Sequence, residues 1–438
     1  MVEPARGRTA FVNARLLDPA GDLDTRGGVL ANGERIADFG PNITAGSVAE
    51  DTTIVDCEGM CLAPGLVDMR VQLREPGEEH KGTLASGGMA AAAGGVTSMV
   101  CLPNTEPVID DMSVLEFVAR RARLLGLAKV YAYGAVTKSL GGTELAEMGM
   151  LAESGAVAFT DGNNAVASAK VMRRALTYAS NFDLLIAQHP EEPSLAENGV
   201  MNAGETATRL GLTGIPACVE AIMVARDIRL AEDVGARLHI SHVSTGEAVD
   251  IIRRGKKRGV RVTCDTAPPY FALNELAVGD YRTFAKLSPP LRSEADRRAV
   301  VAGLVDGTID AIASDHAPQD EDAKRLPFAQ AAFGGIGLET LLAVSMDLFH
   351  NGAMGLLDIL RCLTAAPADL LGLDAGRLRI GSPCDLVLFD AHAPWVVDRH
   401  KLLSKSKNSP FDERPVQGRV LRTVIDGRTV YTHGTQMV

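Results

Sequence analysis

Polar side chains that could bind a metal ion or an acid follow several apolar runs of the chain, each where a predicted strand ends. His189 closes the run A-Q-H, His242 closes I-S-H, and Asp315 closes A-S-D. Two imidazoles and a carboxylate are ligand types that a divalent zinc site uses. One such histidine alone is equally well explained as a hydrogen-bonded core residue, but three residues at three strand ends favour a shared site. The strand-end set is Arg70, Gln72, Arg74, Asn104, Thr137, Lys138, Asp161, His189, His242, Asp265, Asp315 and His316.

The segments that carry these residues alternate between apolar strands and helical patterns, which predicts β/α units and a parallel sheet. A helix with one broad apolar face is clearest over residues 217–234. Eight predicted strands make an α/β fold with a (β/α)8 TIM barrel, whose strand ends meet on one face. The strands cover residues 61–73, 96–102, 130–136, 156–159, 184–188, 237–241, 260–264 and 311–314.

Both ends of the chain instead show short alternating runs broken by turn residues, the pattern of β-hairpins. We predict that residues 1–60 and 373–438 form one small β-sandwich domain, into which the barrel of residues 61–372 is inserted. A chain of 438 residues is long enough for two units, because single cores stop growing at about 250 to 300 residues.

The charge and the apolar runs of the chain exclude two classes of partner, nucleic acids and membranes. A net charge of −11 without a long basic run argues against nucleic acid. No apolar run of about 20 residues occurs, and the first residues lack a leader-like apolar stretch. The expectation is a cytoplasmic protein that binds neither nucleic acid nor membrane.

Residues 64–77 resemble the opening motif of the dihydroorotase branch of the cyclic amidohydrolases, P-G-L-V-D-x-H-x-H-L-R-E-P-G. The blocks S-H-V-S-T, S-D-H-A-P, P-P-L-R-S, F-G-G-I-G-L-E-T and S-K-S-K-N-S-P-F are similar to further blocks of that family. The resemblance implies an amidohydrolase-type barrel and the reversible cyclisation of N-carbamoyl-L-aspartate to dihydroorotate in pyrimidine biosynthesis. It also implies two zinc ions that bridge a hydroxide in active relatives.

The resemblance further assigns roles to individual residues. It places metal ligands at His189, His242, Asp161 and Asp315, and it makes Asp315 the catalytic group that moves the proton. Substrate-binding positions match Arg74, Asn104, Ser288 and Gln319, of which Arg74 and Asn104 retain the family's residue types. Ser288 and Gln319 stand where the family has asparagine and histidine.

Two further positions depart from the motif, since Arg70 and Gln72 stand where the family has its H-x-H pair. An arginine has no free lone pair and stays protonated, so it neither ligates a cation nor stops repelling one. A glutamine amide oxygen is a weak zinc ligand. We expect the Arg70 guanidinium to pair with Asp315 or Asp161 in place of a metal charge; the alternative is that it turns away into the small domain.

Three functions follow from these departures. The first is a dihydroorotase-like protein that is catalytically impaired or non-catalytic, holds at most one zinc ion, and serves as a structural partner of aspartate transcarbamoylase, with self-association as a second contact. The second is an active dihydroorotase with a reduced, mononuclear zinc site. The third is a hydantoinase- or allantoinase-type ring amidohydrolase, which is disfavoured because those relatives also need the H-x-H pair and a carboxylated lysine.

One charged run follows the last predicted strand. Residues 320–325 read D-E-D-A-K-R. We predict a solvated charged loop beside the pocket, with a role as a cover over it as the alternative.

Overall fold

The structure is a computed structural model that describes residues 7–435. Its strands are β1 Arg8–Asp18, β2 Leu23–Asn32, β3 Arg35–Gly40, β4 Thr53–Asp56, β5 Cys61–Pro64, β6 Leu66–Val71, β7 Val96–Cys101, β8 Lys129–Gly134, β9 Ala158–Phe159, β10 Leu185–Gln188, β11 Met201–Asn202, β12 Gly214–Ile215, β13 Arg237–Ile240, β14 Val262–Thr266, β15 Ala311–Ile312, β16 Leu386–Val396, β17 Pro415–Ile425 and β18 Arg428–Thr432. Its α-helices are α1 Leu84–Ala93, α2 Met112–Leu125, α3 Met148–Glu153, α4 Ala169–Ser180, α5 Pro193–Ala196, α6 Glu205–Leu210, α7 Cys218–Val234, α8 Gly246–Lys257, α9 Pro268–Ala272, α10 Glu294–Val305, α11 Glu321–Arg325, α12 Leu341–His350, α13 Leu356–Leu363 and α14 Ala365–Leu371.

Eight of these strands form the predicted parallel barrel. Their order is β6, β7, β8, β9, β10, β13, β14 and β15, and every neighbouring pair is parallel. A parallel bridge between Val71 and His316 joins the first strand to the chain just after the last one. The TIM-barrel prediction is therefore confirmed.

Strands from both chain ends form a second sheet, in the order β18, β17, β16, β5, β1, β2 and β3, with β4 paired to β1. Residues 61–64 belong to this sheet, so the prediction of one continuous strand over residues 61–73 was wrong. The chain passes from one sheet to the other at Gly65. A Cβ atom at that position would lie 2.2 Å from Thr97 Cγ2, and glycine therefore permits the close approach of the two sheets.

Helices around the barrel bury one face each. In α8 the buried residues Ala248, Val249 and Ile252 face the barrel, and the Thr245 hydroxyl caps the helix by accepting from the Ala248 amide at 3.3 Å. Such caps fix where each helix begins, and hence where the preceding strand-end loop must finish. None of the helices in the described part of the chain is both long and apolar enough to cross a membrane.

The charged run after the last barrel strand differs from its prediction. It folds as the short helix α11, and the Lys324 side chain is 4% exposed. Its Nζ donates to the carbonyl oxygens of Thr283 at 3.0 Å and Lys286 at 3.3 Å. A solvated loop was therefore wrong for Lys324, because backbone carbonyls of the neighbouring loop replace water around the ammonium.

Candidate functional site at the barrel mouth

Arg70, at the end of β6, points into the barrel. Its side chain is 3% exposed, and its Nε donates to Asp315 Oδ1 at 2.9 Å. One terminal nitrogen, Nη2, donates to Asn163 Oδ1 at 2.7 Å. The expected pairing with Asp315 is confirmed, and the alternative of a side chain turned into the small domain was wrong.

Asp315 follows β15, and its carboxylate contacts both the Arg70 guanidinium and His242. Its Oδ2 lies 3.3 Å from His242 Nδ1. Burial raises the pKa of the Asp315 carboxyl, but His242 and Arg70 together outweigh burial and hold that pKa below its usual value. Both Asp315 (φ 50°) and His242 (φ 41°) adopt left-handed backbone conformations, which cost energy in residues with a Cβ and cluster at functional sites.

The two predicted imidazole ligands contact each other. His189 Nδ1 lies 2.7 Å from His242 Nε2, and Ser288 Oγ lies 3.5 Å from His189 Nε2. At 2.7 Å only one of the two facing nitrogens carries a proton. Burial, followed by the proximity of His242 and Arg70, places the pKa of His189 well below its ordinary value, so this ring is neutral at pH 7.

Asp161 lies apart from this cluster. Its Oδ1 accepts from the backbone amides of Val136 at 3.0 Å and Thr137 at 2.9 Å, and its Oδ2 accepts from the Thr137 hydroxyl. Burial raises the pKa of this carboxyl. Both oxygens are thus occupied by the loop after β8, and the guanidinium reaches Asn163 rather than Asp161.

Gln72 also has a protein partner, since its Oε1 accepts from Asn104 Nδ2 at 3.1 Å. These two side chains line an open cavity of about 690 Å³ at the barrel mouth. The polar lining consists of Gln72, Arg74, Asn104, Asn163, Glu191, Asn198, Thr213, Lys286, Ser288 and Gln319.

The four residues predicted to bind substrate all line this cavity. Arg74 pairs through Nη1 with Glu78 Oε2 at 2.6 Å, and its Nε donates to the Pro318 carbonyl at 3.2 Å. Gln319 Nε2 donates to the Phe333 carbonyl at 2.8 Å. The structure brings the set together, while the binding role of each residue stays a prediction.

Sequence reasoning missed several polar residues here. Asn163 was overlooked although it follows Asp161 by two positions, and Glu191 and Lys286 lie two positions from His189 and Ser288 respectively. Their proximity to strand-end residues was the available signal. Within residues 7–435, no group of three or more His, Cys, Asp or Glu side chains is arranged to hold a metal ion.

A parallel eight-stranded barrel with polar groups at one mouth is an architecture that many enzymes share. The L-hydantoinase (dihydropyrimidinase) of Arthrobacter aurescens shares this fold, with a TM-score of 0.88 over 98% of this chain and 97% of that one, at 24% sequence identity. At that identity the likeness concerns the fold.

Sequence comparison is more specific. Residues 59–248 match the family described as dihydro-orotase-like. The dihydroorotase of Anaplasma phagocytophilum (strain HZ) is 48% identical over 425 residues, which are 96% of this chain and 95% of the relative. The dihydroorotase of Syntrophotalea carbinolica is 46% identical over 421 residues, covering 96% and 98%. The chain belongs to the dihydroorotase family.

Proposed function

We propose that this protein is a dihydroorotase-like member of pyrimidine biosynthesis that lacks the two-zinc chemistry of its family. The observation that carries the proposal is the ion pair between Arg70 and Asp315 at 2.9 Å. A guanidinium occupies the charge position beside the carboxylate for which the resemblance implies a metal ion.

The side chains present do not fit a two-zinc centre. The family's two-zinc centre takes ligands from its H-x-H pair, and this chain has Arg70 and Gln72 there; the arginine offers no lone pair and the glutamine oxygen is a weak zinc ligand. A cation on Asp315 would also be repelled by Arg70. At about 4 Å and an effective dielectric constant of about 20, each pair of unit charges costs about 4 kcal/mol, and a divalent ion doubles that cost.

Losing the metal removes the main source of a nucleophile. Zinc lowers the pKa of bound water from about 15.7 to about 7, which corresponds to more than about 10 kcal/mol of hydroxide generation. The neutral His189 is a weak base, and Asp315 is already ion-paired. Neither group supplies a stabilisation of that size, which supports impaired or absent turnover.

We further propose aspartate transcarbamoylase as the partner that uses the intact barrel. The support is that the family's sequence is retained along the whole chain, at 48% identity to the Anaplasma phagocytophilum dihydroorotase, although both histidine positions of the H-x-H motif differ. A fold that is retained although its metal-binding motif is altered favours a role in which the protein surface binds a partner. A stable complex would bury about 1,200 to 2,000 Å².

A second candidate is an active dihydroorotase with a mononuclear site. The clustering of His189, His242 and Asp315 favours it, because the three side chains are linked by contacts of 2.7 and 3.3 Å. It requires Arg70 to release Asp315 when a metal ion arrives.

A turnover assay separates the two candidates. Purified full-length protein is assayed for cyclisation of N-carbamoyl-L-aspartate and for hydrolysis of dihydroorotate, with and without added zinc. The proposal expects no turnover in either direction under both conditions. Zinc-dependent turnover in both directions would contradict it and support the mononuclear enzyme.

A further inference from the structure

A second cavity lies between the small sheet and two helices of the barrel. Residues of β16, β17 and β18 line it, together with residues of α1 and α12. Its volume is about 1070 Å³, close to the upper limit of the range of about 300 to 1,000 Å³ that is typical of small-molecule sites. Among the described residues, none lines both this cavity and the one at the barrel mouth. The two cavities are therefore separate.

One cation of the second cavity, the Arg419 guanidinium on β17, forms no ion pair with a carboxylate of residues 7–435. It is partly buried and lies over the indole of Trp395, with 4.7 Å between the guanidinium carbon and the ring centroid. The indole is held in turn, because its Nε1 donates to the Gly418 carbonyl at 2.9 Å. Arginine keeps its charge when partly buried, and its planar fork matches the two oxygens of a carboxylate. Arg419 is thus a positioned cation without a counter-charge.

The hydrogen bonds around Arg419 leave the Tyr431 hydroxyl able to donate. Arg419 Nη1 lies 3.0 Å from His433 Nε2, which must accept because arginine only donates. Burial, followed by the charge of Arg419, lowers the pKa of His433, so this ring is neutral at pH 7 and carries its proton on Nδ1. That nitrogen lies 3.3 Å from the Tyr431 oxygen and donates to it. The Tyr431 proton therefore stays available for a ligand.

The acidic residues of the lining do not supply the missing counter-charge. Two aspartates pair with cations of the segment after β16, and Glu339 accepts from two backbone amides at 2.8 and 2.9 Å. Burial raises the pKa of Glu339 to about 7, and Glu413 is exposed. With four acids against three Arg and Lys side chains in the lining, a second negative charge on a ligand is unfavourable. The two ion pairs are Arg399–Asp412 and Lys401–Asp398, each 3.5 Å long.

Much of the remaining lining is apolar. An apolar group that is placed against such side chains leaves water, which stabilises the complex by about 25 cal/mol per Å² of buried apolar surface. The apolar residues from the helices and from β17 are Met89, Ala93, Leu342, Ala343 and Val420.

We propose that this cavity binds a small monocarboxylic acid with an apolar body, whose carboxylate accepts from the Arg419 guanidinium and the Tyr431 hydroxyl. One unpaired fork and one available hydroxyl match a single carboxylate. The acidic lining disfavours a dianion, and the apolar lining accommodates the body of the ligand. The inference is independent of the proposed function, because this cavity is separate from the barrel mouth.

Three small probes separate the features of such a ligand. Phenylacetate is a monoanion with an aromatic body, phenylacetamide is its neutral counterpart of similar shape, and phenyl phosphate is mainly a dianion at about pH 8. Hydrogen bonds to charged groups correspond to roughly a 10- to 100-fold change in affinity. We expect phenylacetate to bind at least about 10-fold more tightly than phenylacetamide, and more tightly than phenyl phosphate.

Trp395 reports binding directly, because it is the only tryptophan of the chain and lies beneath Arg419. Excitation at the red edge of indole absorption avoids absorption by the phenyl probes. A carboxylate that binds the guanidinium changes the surroundings of the indole, so phenylacetate should give a saturable change in emission. Calorimetric titration measures the affinity independently.

Single substitutions assign the affinity to residues. Arg419→Met removes the fork but keeps a long side chain over Trp395, and it should weaken phenylacetate at least about 10-fold while leaving phenylacetamide unchanged. Tyr431→Phe removes one donor and should weaken phenylacetate at least about 3-fold. Arg422→Met lies on the same strand as Arg419 but outside the cavity, so this matched control should change neither affinity.

Several results would overturn the inference. They are the absence of phenylacetate binding to the wild-type protein at millimolar concentration, and equal affinity of wild type and Arg419→Met for phenylacetate. If Arg419→Met does not fold, equal affinity of wild type and Tyr431→Phe decides in the same way. Phenylacetamide or phenyl phosphate binding as tightly as phenylacetate excludes a monocarboxylate site. None of these results concerns turnover at the barrel mouth, which the turnover assay tests separately.

Discussion

At the level of single residues, each predicted metal ligand contacts other groups of the protein. Asp315 pairs with Arg70, Asp161 accepts from two backbone amides and a hydroxyl, and the two imidazoles contact each other. A buried carboxylate needs compensation by charge or by hydrogen bonds. Arg70 supplies that charge for Asp315, so removing it should be costly even if the protein has no catalytic role.

The first prediction concerns the stability of that ion pair. Arg70→Met removes the guanidinium that compensates the largely buried Asp315 carboxylate and leaves it the contact with His242, so it should lower the free energy of unfolding by about 3 kcal/mol. Denaturant unfolding of both proteins measures the difference. Arg258→Met is the matched control, because it breaks the exposed pair with Glu232 (47% and 43% exposed) and should cost under about 1 kcal/mol. Equal losses for the two variants would contradict a structural role for Arg70.

The second prediction concerns rebuilding the family motif. Arg70→His combined with Gln72→His removes the repelling cation and adds two imidazole ligands, so zinc bound per chain should rise clearly. Activity should return less readily, because Ser288, Gln319 and the engaged Asp161 remain. Gln72→His alone, which keeps the guanidinium, is the control and should gain little zinc. Full dihydroorotase activity from the double change would show that those three positions matter less than proposed.

At the level of elements, alternation and strand-end position predicted the barrel well. Each barrel strand after β6 lies within two residues of its predicted limits, since buried parallel strands are continuous apolar runs. The division of residues 61–73 between two sheets was missed, because Pro64-Gly65 is a turn signal whose direction depends on the distant contact with Thr97. The candidate site was predictable to the same extent. The residue types of possible metal ligands could be identified in the sequence, but the hydrogen bonds from the Val136 and Thr137 amides to Asp161 depend on the fold.

Helix α11 carries the third prediction, on pH dependence. Burial, followed by the charge of Lys286, lowers the pKa of Lys324 to about 7. The unfolded chain, with an ordinary pKa of about 10.5, binds more protons than the folded one between these values, so stability contributed by this site rises with pH from about 7 to about 10. Between pH 7 and 9 the gain should be on the order of 2 kcal/mol.

Two variants isolate the contribution of Lys324 to the pH dependence of the unfolding free energy. Lys324→Met should remove the rise in unfolding free energy between pH 7 and 9. Lys401→Met, at an exposed position, should keep it. Parallel pH profiles for wild type and Lys324→Met would show that Lys324 titrates normally in the folded protein.

At the level of the whole molecule, the chain keeps the eight-stranded barrel and the second sheet of the fold. At the mouth of the barrel, however, the predicted metal ligand Asp315 forms an ion pair with Arg70. The fold is thus retained although the two histidines of the H-x-H motif are replaced by Arg70 and Gln72, and a fold by itself does not determine an activity. The fourth prediction is therefore that the chain co-purifies with aspartate transcarbamoylase at micromolar concentration, and that deleting the chain lowers the stability or activity of that enzyme. Size-exclusion chromatography and pull-down measure the association.

Self-association is the natural competitor of that complex. The chain alone, run over the same concentration range, reports it. If no complex forms and the transcarbamoylase is unaffected by deletion, the scaffold role fails, and the mononuclear enzyme becomes the better description.

The most direct test of the central claim is zinc content. Protein as purified, and protein dialysed against excess zinc and then freed of loose metal, are compared by elemental analysis per mole of chain. Because Arg70 stands beside Asp315 and repels a cation, we predict well under two zinc ions per chain in both samples, and at most one. Two stoichiometric zinc ions together with turnover in the range of an intact family member would contradict the account.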